Sequence, residues 1–470
     1  MSKVICAALA LSLCCAAPAF AQDAKSVIGK AQAAIGNPAS LKIEGAGMNA
    51  FFGQALTAGK EWPRRDLESF KLDINYDQTS SSQELVFTRP VFGGQRQNSH
   101  VYGTKAWSMG PNGANPQIAA AEERQLQIWM TPHGFLRAAV AASDATVTPI
   151  AGGSTVSFTT LAKYKLTGTI DAQGQVVRIE TVMPNVVLGD MPVVTTFEGY
   201  KDFSGVKFPT RIVQMQGGFT SNEFTVTKVQ PNARVDIVAP ANVQSATIPP
   251  VRVESSKIGD GIWFVGGGSH HSVVVEFADF ITVIEAPQHE QRSLAVIAEA
   301  KKLVPGKPVR YVVSTHHHFD HSGGLRTYVA EGATVVSHES NTPYWQKSFV
   351  APATLVPDAQ SAAKKSPIIQ GVKDKYVITD GKQTVEVYNT IGDDHTDELL
   401  IAYLPSIKAI VEADSFSPGP AGAAPPRPAP ANAVVLYDNI QRLKLDVATV
   451  IGVHGRGPVP VAELRTFVGK

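Results

Sequence analysis

The chain has 470 residues, 44% apolar and 18% charged, and its 42 Lys and Arg offset 41 Asp and Glu. So even a balance offers no basic surface for nucleic acid, and no apolar run beyond Ala21 is long enough for a membrane helix. The length allows two domains with well-buried cores.

The first stretch, MSKVICAALALSLCCAAPAFAQ, has one lysine, an apolar run and Ala19-Phe20-Ala21 before Gln22. That is the layout of a secretory signal peptide over residues 1–21, and it predicts export to a bacterial periplasm. All three cysteines, Cys6, Cys14 and Cys15, fall inside it. The exported remainder would hold no disulfide, thiolate nucleophile or sulfur-ligated metal.

Residues 25–60 are rich in Ala and Gly and read as loosely helical. From about 65 the texture changes to short strands such as SFKLDINYD and SQELVFTRP, with helical pieces around 117–143. YKLTGTI and VVRIETV alternate apolar and polar residues around a turn at Asp171–Gly174, and further turns fall at Asp202–Gly205 and Gly217-Gly218. Residues 22–250 are therefore expected to form a curved, mainly antiparallel β-rich domain. A Pro/Ala/Val-rich stretch ends it, and 251–470 reads differently. There β-branched runs such as HSVVVEFADFITVIEAP and PVRYVVS alternate with helical segments such as RSLAVIAEAKKLV, which predicts an α/β domain. The Pro-rich piece 415–432 is expected to be a surface loop within that domain.

The histidines are unevenly spread: of 12, two precede residue 250 and ten lie between His270 and His454. The densest group, His316, His317, His318, Asp320 and His321, follows the apolar YVVS and precedes Gly323-Gly324. Four imidazoles and a carboxylate so close to a buried strand are costly unless paired or metal-bound. With no sulfur available they suit zinc, iron or manganese. Alternation sends His316 and His318 one way and leaves Asp320 and His321 for a neighbouring position. The glycine pair favours a close backbone approach.

His316-x-His318-x-Asp320-His321 behind a buried strand resembles the signature of the metallo-β-lactamase fold superfamily of metallohydrolases. The resemblance covers roughly 255–470 and implies an αββα sandwich holding two zinc ions. On that pattern His316, His318 and His395 would hold one metal, Asp320, His321 and His454 the other, and Asp414 would bridge them. His395, Asp414 and His454 each follow an apolar run, in TVEVYNTIGDDH, KAIVEAD and VIGVH. Asp414 stands where some branches use cysteine, which is similar to the all-His/Asp hydrolases of the glyoxalase II and lactonase kind.

Two ions about 3.5–4 Å apart could share an activated water. The implied reaction is hydrolysis of an acyl C–N or C–O bond in a small-molecule substrate: a β-lactam, lactone, amide or ester. Asp320 would hold the second metal and accept a hydrogen bond from the attacking water. His270, His271, Tyr344, Trp345 and Arg456 are expected as substrate contacts. His317 is expected to point away from the metals, His338 to lie at the rim, and one of Asp393, Asp394 and Asp397 to orient His395. Two other classes stay open: an iron-containing oxidoreductase on the same fold, and a periplasmic lipid- or envelope-component-binding protein centred on the β-rich half. Nothing in the sequence fixes the oligomeric state.

Overall fold

The computed structural model describes residues 24–91 and 94–470. The expected signal peptide and the three cysteines lie outside the described residues. Among the described residues, no helix is long and apolar enough to cross a membrane.

The first half is built on one thirteen-stranded antiparallel sheet whose strands lie between Ser40 and Pro231. The strand Ser40–Ala50 sits inside it, paired on one side with Arg64–Asn75 and on the other with Phe219–Pro231. The helical expectation for 25–60 therefore holds only for Ala24–Ile35. Leu41 and Ile43 are buried in the sheet's core, and two neighbouring ladders hold residues 40–50 extended whatever their own propensity.

The helices Ala121–Trp129 and Pro132–Ala141 occupy the expected 117–143 region. Thr131 caps the second by accepting from the N–H of Gly134, with Pro132 in the first turn. Against the sheet they leave a cavity of about 540 Å³ lined by Phe70, Phe208, Phe224, Met183, Met191 and Gln214, among others. The turns at Asp171–Gly174, Asp202–Gly205 and Gly217-Gly218 join paired strands as expected.

From Glu254 onward two further sheets face each other. One has seven strands between Glu254 and Val372, the other six between Lys375 and Pro460. Their inner faces share one apolar core, in which Val273, Ile284, Val313 and Val336 meet Val387, Leu400, Val411 and Ile451. Helices cover both outer faces. Glu290–Leu303 and Leu325–Glu331 bury Val296, Ile297 and Tyr328 on the first sheet. Ala431–Arg442 and Val461–Val468 bury Leu436, Ile440 and Leu464 on the second. The layers are helix, sheet, sheet, helix: an αββα sandwich. The Pro-rich piece starts buried at Ser415 and Phe416, is a mostly exposed loop from residue 419 onward, and its last two residues already belong to the helix Ala431–Arg442.

Candidate metal centre

Parallel pairing places the site. Ala409–Glu412 runs parallel to Thr449–Gly452, with Glu412 opposite Gly452. Asp414 and His454 lie two residues beyond these partners, so they emerge side by side at one edge of the sandwich. The parallel strand Val309–Val313 of the other sheet delivers Thr315–His321 to the same edge. The Thr315 carbonyl accepts from the N–H of Leu400 at 2.8 Å, tying the two sheets together there. A single helical turn, Phe319–Ser322, then presents Asp320 and His321. Gly323 and Gly324 make the close approach expected of them: a Cβ on either would lie about 2 Å from Gln288 O or Ser293 Oγ.

Two groups of ligand atoms result, each drawn within 4.8 Å: His316, His318, His395 and Asp414, and His270, Asp320, His321 and His454. The seven residues expected as ligands come together, and His270 joins Asp320, His321 and His454. The Asp414 carboxylate joins the groups. Its Oδ2 lies 2.8 Å from His395 Nε2, 3.4 Å from His316 Nε2 and 3.2 Å from His321 Nε2, and its Oδ1 lies 2.8 Å from His454 Nε2. Its backbone has φ +62°, a left-handed conformation that a non-glycine residue adopts at a cost of about 1–3 kcal/mol. Glu412 helps hold that turn by accepting from the N–H groups of Ser415 and Phe416 at 3.1 Å each. Burial pushes the Glu412 carboxyl up to about 8.

His316, His318 and His321 form the buried floor. His395, His454 and Asp320 form the open face, their side chains 20%, 23% and 38% exposed. Burial lowers the imidazole of His316 to about 4 and that of His318 further, with neighbouring histidines acting in the same direction. Both are therefore neutral at neutral pH, the form in which imidazole binds metals. Burial would raise Asp320 and Asp414, but His270 and His321 around the first, and His321, His316 and His395 around the second, hold both below the usual carboxylate range.

His318 Nδ1 is buried with no partner, and His316 Nε2 and His395 Nε2, also buried, meet only the Asp414 carboxylate and without hydrogen-bond geometry. Each such nitrogen costs about 1–3 kcal/mol if nothing meets it. Three of them converging beside one carboxylate fit a divalent cation, and the all-nitrogen-and-oxygen donor set agrees. The other ring nitrogens are engaged: His318 Nε2 donates to Ala55 O at 3.0 Å, and His321 Nδ1 donates to Glu285 Oε2 at 2.8 Å. Metal-binding histidines are oriented in this way.

A family model described as the metallo-beta-lactamase superfamily matches residues 265–454. Residues 265–454 carry the metallo-beta-lactamase fold. A metallo-beta-lactamase from Pontibacter korlensis is similar at 17% identity and a TM-score of 0.35, covering 46% of this chain and 98% of its own. One from Hirschia baltica is similar at 15% and 0.34, covering 46% and 97%. A search of curated proteins found no match.

The expected substrate contacts fare differently. His270, expected to touch substrate, lies inside the second group: Ser269 Oγ contacts its Nδ1 at 2.8 Å, and its Nε2 lies 3.3 Å from Asp320 Oδ2. An isolated antiparallel bridge to His454 fixes it there. His271 points elsewhere, its Nε2 donating to Gly455 O at 3.0 Å and its ring packed on Phe264. Trp345 must be corrected. It is fully buried, stacked on Phe349 in the core outside the seven-stranded sheet, and donates to Ser337 Oγ at 3.0 Å. Tyr344 is half-buried against Gly59. Arg456 is committed to Glu463 and to Gly419 O, bracing the Pro-rich loop.

His317 faces away, as anticipated, its Nδ1 donating to the buried Glu398 at 2.5 Å. His338 contacts Ser340 Oγ, outside both groups. Asp393 accepts from the backbone N–H of His395 at 2.8 Å, so its contact is with the main chain. Sequence reasoning missed His270 as a member of the second group, and it missed Glu285 and the loop 51–63. Glu285 had a signal: a carboxylate ending the apolar run ITVI needs a buried partner.

Proposed function

We propose that this chain is an exported, zinc-dependent hydrolase that cleaves an acyl C–N or C–O bond, as in a β-lactam, lactone, amide or ester. The observation that carries this reading is the pair of His/Asp groups sharing the Asp414 carboxylate. His316, His318 and His395 would hold one ion, His270, Asp320, His321 and His454 the other, with Asp414 between them. Bound ions would supply an activated water and positive charge against the oxygen on which negative charge develops.

The chain's own residues do the rest. Neutral His316 and His318 turn lone pairs inward, and the partly exposed side of His395, His454 and Asp320 leaves an approach for substrate. Asp320, held ionised, can accept a hydrogen bond from the attacking water. We place the boundary between the two halves in the stretch between Pro231 and Glu254, where no strand occurs, and we read residues 1–21 as the export signal. The test is a hydrolysis screen of the zinc-loaded full chain against β-lactam, lactone, ester and amide substrates beside a chelator-treated control. No zinc-dependent turnover of any class would sink the proposal.

The cavity of about 540 Å³ in the first half favours a second reading, in which that half binds a lipid or envelope component. Displacement of a fluorescent fatty-acid probe would support it, and no binding of the probe would remove it.

A further inference from the structure

The loop 51–63 leaves the thirteen-stranded sheet after Ala50 and crosses to the ligands of the second half. The Gly53 carbonyl accepts from the N–H of Phe319 at 3.2 Å. Gly53 has φ +76°, and a Cβ there would lie 2.7 Å from the Phe319 ring, so only glycine lets the loop come this close. The Gln54 amide donates to Asp320 Oδ1 at 2.7 Å. The Ala55 carbonyl accepts from His318 Nε2 at 3.0 Å. The Leu56 carbonyl accepts from the N–H of Asp397 at 2.9 Å, and Thr57 Oγ1 donates to the Asp397 carboxylate.

Two consecutive residues of this loop therefore each touch one member of a different ligand group. Ala55 occupies the Nε2–H of His318, which leaves the Nδ1 lone pair as the atom facing His316 and His395. Gln54 occupies Oδ1 of Asp320, which leaves Oδ2 for the side of His270 and His321, 3.3 and 3.6 Å away. An amide donor bonded to one carboxylate oxygen fixes the rotation of the whole group. A carbonyl bonded to one imidazole nitrogen fixes the tautomer.

We propose that Gln54 and Ala55 are positioning residues of a divalent-cation centre, so that the strand-rich half completes a site whose ligands all lie in the other half. This rests on the metal-binding reading above. Gln54→Met keeps the length of the side chain and removes its donor. Gly53→Ala drives a methyl group into Phe319 and shifts both contacts.

The experiment is competitive zinc titration of the full-length chain against a chromophoric chelator, with the melting temperature of the metal-free protein measured alongside. Wild type is expected to take up two ions. Q54M should bind one ion as wild type does and the other at least about 10-fold more weakly, with an unchanged metal-free melting temperature. G53A should weaken both. Wild-type affinities at both sites of Q54M overturn the role of Gln54, as does an equal loss at both sites together with a lowered metal-free melting temperature. A G53A chain with both sites unchanged overturns the role of Ala55. A wild-type chain that takes up fewer than two zinc ions overturns the binuclear reading itself and this inference with it.

Discussion

Replacing Glu285 by glutamine probes a charge that lies outside both ligand groups and yet sets the orientation of one member. Glu285 is fully buried with φ +74°. Its Oε1 accepts from the N–H of Thr315 at 2.8 Å and its Oε2 from His321 Nδ1 at 2.8 Å. With Nδ1 engaged, Nε2 is the His321 atom that faces Asp414 and His454, 3.2 and 3.1 Å away. Glutamine offers one carbonyl oxygen for two donors, so one N–H must face an NH₂ group. The loss is about one charge-assisted hydrogen bond, or about 1.5–3 kcal/mol. At about 1.4 kcal/mol per factor of ten, that is about 10–100-fold in affinity. The loss should fall on the ion held by His270, Asp320, His321 and His454. Chelator competition near neutral pH reads both sites in one titration. An unchanged affinity at the site of His270, Asp320, His321 and His454, or an equal loss at both sites, would refute the reasoning.

Three further outcomes are expected. Asp414→Asn should reduce zinc uptake at both sites and lower turnover by more than the ~10–100-fold of an outer partner, whereas His454→Ala should empty only the second; zinc content after gel filtration distinguishes them. His270→Ala should weaken the second site about 10-fold or more while His271→Ala leaves both affinities unchanged in the same titration, and equal behaviour of the two variants would refute a place for His270 in that site. His133 is buried, with Nδ1 unpaired and Nε2 3.2 Å from Ile35 O, and burial lowers its imidazole from 6.5 to about 4. Its folded value lies below its unfolded one, so the unfolded chain takes the proton first. Metal-free stability should therefore fall by about 3 kcal/mol between pH 6.5 and 4 on its account. Urea unfolding should show the gap between wild type and His133→Gln shrinking by that amount, and a constant gap would refute it.

The convergence of the seven residues was legible because each sits one to a few residues beyond an apolar run, and a sheet edge is where such runs end. His270 was not, because its place depends on a bridge to His454, 184 positions away, which no local pattern encodes. Trp345 misled for the opposite reason. An aromatic pair in a short polar helix looks like a pocket wall, but one face of Thr342–Ser348 turns into the core and only Tyr344 faces the loop 51–63. Residues 40–50 hid their strand because the glycines at 45 and 47 dilute the alternation of Leu41 and Ile43. Those glycines sit where a Cβ would lie about 2 Å from carbonyl oxygens of the neighbouring strand.

Several contacts between the halves run through main-chain carbonyls, which explains their silence in the sequence. Asp190 N–H donates to Pro352 O at 2.6 Å, and its carboxylate accepts from the N–H of Thr354 at 2.9 Å. Ser348 Oγ donates to Val187 O, and the Val187 side chain is buried in the same core as Trp345 and Phe349. Gly53, Ala55 and Leu56 likewise act through their carbonyls. A main-chain acceptor is present at every position, so no residue type announces it, and its role is decided by where the fold carries the backbone. Removing the first half would uncover Phe349 and Trp345 around the vacated Val187 and would leave His318 Nε2 and Asp320 Oδ1 to water. The ligands would survive such a cut in sequence. The tautomer of one and the rotation of another would no longer be held, and a site that needs its lone pairs aimed before an ion arrives would lose that order in both groups at once.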